Sequence, residues 1–243
     1  MPGKLAALSA LPATLLLAGC FGFGVSPTTM IEASDSGVLT PGIRMGIDLG
    51  YAGKGPPSQA HDGHALEIGW SRSAGDDQQA VASGQPPVRF GTQTFNAPAQ
   101  LRHEFDFRFF EAAYRYRHFF GGNVGIEGLV GVAHTGLDFT VSSGAQRAAE
   151  SLDSAGMIFG FGVIGRLRPG TAVHGRATLY AAGTYSDVSD ARRFEISLVQ
   201  SVGNHAALRA GYAFWRIDSD GESGSSDIRL KFSGPMLGLD LAF

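Results

Sequence analysis

The side chains in this sequence best able to do chemistry are ionisable ones spaced two apart. Arg108, Glu111, Arg115, Arg117, Glu127, Arg166, Arg176, Arg193, Glu195, Arg209, Arg229, Lys231 and Asp240 fall on the polar phase of alternating runs, together with Arg44, Asp48, Glu67 and Asp106. Ten of these are basic and seven acidic. Unpaired ions are prohibitive away from water, so a near-balanced set sharing one face predicts a salt-bridge network that fills an interior. A gated or narrow pore with a basic bias is the functional alternative to that packed polar core.

Other constellations are thinner. His134, His174 and His205 lie within or beside strand-like runs, and Ser142, Ser143 and Ser186 lie near their ends. A Ser and a His with an acid would suit acyl transfer, but no recognisable motif surrounds them. His61-Asp62-Gly63-His64 offers two metal ligands without the rest of a site. Asp218-Ser219-Asp220-Gly221-Glu222 lacks the third ligand position and the distal Glu of a calcium loop. Gly160-Phe161-Gly162 is followed by no helix that could complete a phosphate cradle. No catalytic residue, metal or cofactor is assigned, and the chain is read as non-enzymatic.

Cys20 stands apart as the single cysteine of the chain, so no intramolecular disulfide can form. It follows Lys4, an apolar stretch Leu5–Leu17 and the small residues Ala18-Gly19. A short apolar run behind a positive charge is a secretory signal, here residues 1–19, and too short to span a membrane. Leu17-Ala18-Gly19-Cys20 resembles the lipobox of bacterial lipoproteins, which implies lipidation of Cys20. Residues 20–42, rich in Gly, Ser, Thr and Pro, read as a flexible tether.

Positioning the ions requires strands. Of the 243 residues, 35 are Gly and 17 Phe, a mix suited to a curved sheet, and beyond residue 20 no run of about 18 apolar residues occurs. A net charge of −3 without a Lys/Arg cluster argues against nucleic acid. Alternation begins at 43–51 and 64–72, is weak at 87–95, and recurs at 103–119, 123–137, 155–168, 171–186, 191–202, 205–217 and 227–243. Gly121-Gly122-Asn123, Arg168–Thr171 and Gly203-Asn204 read as tight turns, and Asp138–Asp153 and Ser219–Ser226 as polar loops. The apolar phase slips at Phe109-Phe110 and again at Ser233-Gly234-Pro235, which predicts a β-bulge at each. Setting aside 87–95, the apolar phase carries no Asp, Glu, Lys or Arg.

Long alternating strands, an apolar phase free of charge, and a final strand ending in Phe243 resemble the small bacterial outer-membrane β-barrels of OmpA and OmpX type. The resemblance implies an all-β, transmembrane, antiparallel up-and-down β-barrel over 43–243. It has ten strands, or eight if only one of the runs 43–51, 64–72 and 87–95 spans. It implies the outer membrane of a Gram-negative bacterium, a monomer, contact with membrane lipid and lipopolysaccharide, and recognition of Phe243 by the barrel assembly machinery. Phe119, Phe120 and Phe243 at one end, and Phe105, Tyr185, Phe214 and Trp215 at the other, would form its aromatic girdles. The function expected is envelope-structural or surface-interacting. A narrow solute pore and a lipid A-modifying enzyme are the alternatives.

Overall fold

The computed structural model describes residues 30–49, 62–182, 188–219 and 227–242. These are almost wholly β: β1 (Ile31–Ser36), β2 (Thr40–Asp48), β3 (Gly63–Val81), β4 (Val88–Phe90), β5 (Gln93–Phe95), β6 (Ala99–Phe120), β7 (Val124–Ser143), β8 (Gln146–Arg168), β9 (Thr171–Ala182), β10 (Asp190–Ser201), β11 (Ala206–Ser219) and β12 (Ile228–Ala242). Ten form one sheet in the order β1-β12-β11-β10-β9-β8-β7-β6-β3-β2, and β2 also pairs with β12. The sheet therefore closes into a ring. The signal segment, Cys20 and Phe243 lie outside the described residues.

The sheet has ten strands, but they are not the ten expected. Val88–Phe90 and Gln93–Phe95 form a separate two-stranded hairpin turning at Gly91, whose φ is +57°. Phe90 and Phe95 are both fully buried, and Phe90 meets Phe139 edge-on at 5.6 Å. The hairpin caps the interior and is no span. The tenth strand is β1, inside the segment read as a tether. Ile31 and Ala33 are buried there, and β1 runs parallel to Ile228–Ser233. β2 continues the same line, parallel to Met236–Ala242. Nine strands thus go round the ring, with β1 and β2 sharing one flank of β12. An odd count makes the first and last strands parallel, where the expected ten or eight would have made them antiparallel.

Neither predicted bulge exists. Pairing of β6 with β3 and β7 runs unbroken through Phe109 and Phe110, and β11 pairs with β12 without a shift through Gly234. What changes at these points is the polarity of each face. Along β6, Phe105, Phe107 and Phe109 point inward, as do Glu111, Arg115 and Arg117 below them; Arg102, Glu104 and Arg108 point outward, as do Phe110, Tyr114 and Tyr116 below. Strands β7, β11 and β12 repeat the inversion. Gly234 has another purpose. The strand line breaks at Gly37–Leu39 beside it, where Gly37 and Val38 donate to the Ser233 carbonyl, and any side chain at 234 would strike the Val38 backbone.

The ring consequently has two zones. We call lower the end that carries the β6–β7 turn. In the upper zone the interior is apolar, built from Leu101, Phe105, Phe107, Phe109, Leu137, Phe139, Trp215, Leu230 and Phe232 beneath the β4–β5 cap. Phe107, Trp215 and Phe232 lie 5.0–6.0 Å apart by ring centroid. The outer face of this zone carries ion pairs such as Arg108–Asp138 and Arg229–Asp218. Asp138–Asp153 is therefore no loop: both strands continue to a tight turn at Gly144, because Leu137, Phe139 and Val141 face the apolar interior. In the lower zone the polarity is reversed.

Candidate functional site

The lower interior is the candidate site. Strand pleating delivers one inward side chain every second residue, and eight strands each direct at least one ion into the lower interior. Arg176 on β9 is the hub, wholly buried. Its Nε donates to Glu127 Oε1 at 2.6 Å, and its Nη1 and Nη2 donate to the two carboxylate oxygens of Glu67. Arg115 reaches the same Glu67, and Arg117 Nε donates to Glu127 Oε2 at 2.9 Å. Arg193 Nη2 donates to both oxygens of Glu111 at 2.8 and 2.9 Å. Arg44 Nη2 donates to Glu195 Oε2 at 2.8 Å, and Arg209 Nη2 donates to Asp240 Oδ2 at 2.6 Å.

His174 ties the two halves together. Arg209 Nη1 donates to its Nδ1 at 2.8 Å, so that nitrogen is an acceptor, and Nε2–H donates to Glu127 Oε1 at 2.8 Å. Both contacts are satisfied by the neutral imidazole. Room for the carboxylates comes from β3 and β8. A Cβ at Gly69 would lie 2.7 Å from Glu111 Oε1, and one at Gly162 would lie 2.6 Å from Glu127 Cγ. At these two positions the missing side chain clears space for a glutamate.

Of the expected network, Glu111, Arg115, Arg117, Glu127, Arg176, Arg193, Glu195, Arg209 and Asp240 converge, and Arg166 points inward, half-buried, near the bottom. Arg108, Arg229 and Lys231 do not belong to it. They lie on the outer face of the upper zone, 48%, 31% and 43% exposed, paired with Asp138, Asp218 and Glu32. They share a sequence phase with the inward ions only if a bulge intervenes, and none does. Asp106 is likewise outside, against Arg72. Arg44 and Glu67 belong to the network's centre, and His174, which the sequence offered as a catalytic candidate, is one of its members. Its place was readable from its shared phase with Arg176.

Among the described residues, the Ser and His candidates for acyl transfer are not brought together. His134 points outward on β7, eight residues below Ser142 on the same strand and so about 26 Å away. His205 sits in the β10–β11 turn, and Ser186, His61 and Asp220–Glu222 lie outside the described residues. Asp218 is occupied by Arg216 and Arg229. Phe105 and Trp215, expected in a girdle, are core residues 4% exposed.

A titratable side chain, His103, is buried in the apolar zone. His103 lies against Phe139, and neither of its ring nitrogens has a hydrogen-bond partner. Burial disfavours the imidazolium and lowers its pKa to about 4, against a small opposing pull from Asp77. The unfolded chain, at the ordinary 6.5, takes up this proton first. Stability is therefore full above pH 6.5 and falls as the pH drops towards 4, by about 3 kcal/mol in all. His103→Leu is expected to remove that slope, read as the change in urea midpoint between pH 7 and pH 4.5.

No family model, curated protein or solved structure matches the chain in comparisons of sequence and fold.

Proposed function

We propose that the chain is a non-enzymatic integral outer-membrane β-barrel, with a closed interior and an envelope-structural or surface-interacting role. The observation that carries this is the outer face of the lower zone. From Trp70, Phe110, Phe194 and Phe214 down to Phe120, Val124 and Leu167, large apolar side chains stand exposed around the ring. No outward strand position in this band is Asp, Glu, Lys or Arg among the described residues. Exposed apolar surface on this scale marks a contact surface. On β6 the band runs from Phe110 to Phe120, ten residue steps. At about 3.3 Å each and a tilt of about 45°, that is roughly 23 Å, close to the height of the apolar band on outer-membrane barrels.

The aromatic edge supports the same reading. Trp70 faces Phe110 across β3–β6, and Phe194 faces Phe214 across β10–β11. Such a row suits a membrane interface, with the charged upper zone standing in water. Inside, the ionic network fills the lower zone and the aromatic core with its cap fills the upper, which favours a closed barrel over a pore. On this reading the upper zone is the face offered to lipopolysaccharide and external partners.

Heat-modifiable migration tests the proposal. Protein extracted from outer membranes in detergent should run faster unheated than boiled, because a closed barrel resists detergent unfolding. A purified chain that stays monodisperse in plain buffer without amphiphile would overturn it. Steady single-channel current in a planar bilayer would overturn the closed interior and leave the barrel standing.

A further inference from the structure

A small cavity lies where the lower zone meets the aromatic core, at the parallel seam between β2 and β12. Gly42 and Gly238 face each other there in register, so neither strand supplies an inward side chain at that level. The notch offers about 30 Å³ to the centres of water-sized spheres. A single water needs about 10–15 Å³ by that measure, so two small occupants fit.

The walls ask for an occupant. Arg44 Nη1, Arg193 Nε, Trp215 Nε1 and Glu195 Oε1 are buried without a hydrogen-bond partner, and all four residues line this cavity. Arg193, Glu195 and Trp215 are 6%, 1% and 4% exposed. Three of the four atoms are donors, two of them on guanidinium groups. The nearest opposite charges stop short: Arg193 Nε lies 3.6 Å from Glu195 Oε2, and Arg209 Nη1 lies 3.7 Å from Glu195 Oε1. Buried donors left without acceptors are costly, so such groups are normally met by a partner.

Charge decides which partner. The described network sets Arg44, Arg115, Arg117, Arg176, Arg193 and Arg209 against Glu67, Glu111, Glu127, Glu195 and Asp240, six positive groups to five negative. His174 is neutral in its observed contacts. Among the described ion-paired residues of this network one positive charge is left over, and a buried ion without a counter-charge is expensive.

We infer that the notch binds a small inorganic anion of the halide class, accepting from Arg44, Arg193 and Trp215, with one water donating to Glu195 Oε1. The anion cancels the excess charge and satisfies three donors at once. The water supplies what a halide lacks, a hydrogen for the glutamate oxygen.

Bromide is the probe. Crystals of the full chain grown in bromide, measured at the bromine absorption edge, should show an anomalous peak between Arg44, Arg193 and Trp215. In detergent, the unfolding temperature should rise with chloride or bromide but not with gluconate at equal ionic strength. Gly238→Ala places a methyl group in the notch, 3.4 Å from the Gly42 carbonyl oxygen and 3.6 Å from Arg209 Cβ, ordinary contact distances. That variant should still show heat-modifiable migration and lose the halide response. Trp215→Phe removes one donor and keeps a ring, and should shift the halide midpoint several-fold upward. No anomalous peak in the cavity, or a halide response that both variants retain, would overturn the inference. If Gly238→Ala fails to fold, the bromide map and Trp215→Phe decide the matter alone.

Discussion

Arg176→Met should cost about 3–5 kcal/mol or prevent the ring from folding, because Glu67 and Glu127 would each lose a fully buried guanidinium partner, leaving Glu67 to Arg115 and Glu127 to Arg117 and His174. The guanidinium is wholly buried and holds acceptors from β3 and β7 while standing on β9, so its loss is felt on three strands. Arg108→Met is the contrast. Its partner Asp138 is on the surface and both groups are about half exposed, so the change should fall within about 1 kcal/mol. Urea unfolding in micelles, followed by Trp70 and Trp215 fluorescence, measures both. Equal costs for Arg176→Met and Arg108→Met would dismiss the network as the holding element of the lower zone.

Phe161→Arg should cost about 2–4 kcal/mol in a bilayer, the price of a cation facing hydrocarbon near mid-depth. Phe161 points outward on β8 within the lower band, 56% exposed. Ala149→Arg, twelve residues towards the upper end on the same strand and face, should be neutral, because its surroundings already carry Arg147 and Asp138. Folding yield and urea midpoint in lipid vesicles separate the two. In a protein that meets only water, both arginines would be tolerated alike, so the difference between the variants tests membrane embedding itself. The same pair examined in plain detergent above its critical concentration should differ less, since micelles deform around a charge more readily than a bilayer does.

Much of this architecture is legible in the sequence, for a definite reason. Alternation survives wherever one face is apolar, so the long strands and most of the inward ions, Glu127, Arg176 and Glu195 among them, could be named from phase alone. Phase does not say which face is inside. Along β6, Phe105, Phe107 and Phe109 and then Phe110, Tyr114 and Tyr116 look like one apolar face interrupted by a bulge. They are two faces of one straight strand whose surroundings exchange. That single ambiguity misplaced Arg108, Arg229 and Lys231, and turned the polar outer positions of β7 and β8 into a loop.

Other features are hidden by weak local signals. Ile31-Glu32-Ala33-Ser34-Asp35-Ser36 has two buried side chains in six residues, too few to stand out from a tether. Its strand exists because β12 offers an unpaired flank. Val88–Phe95 alternates like a span but is only three residues on each side of its turn, and Phe90 and Phe95 are drawn under the cap by the aromatic core. Ring parity follows from these two placements and has no local signature at all.

The parallel seam also sets an order of events for the chain. Every antiparallel neighbour from β6 to β12 is reached across a short connection, whereas Ile31 meets Ile228 and Thr40 meets Met236 only after nearly the whole polypeptide has been laid down. Entropy of closure grows with the length of the loop that must be drawn shut, and contacts this remote in sequence form slowly. The hairpins can therefore assemble as an open, curved sheet while β1 and β2 wait, and the seam is the last join to be made and the first place where the wall would part.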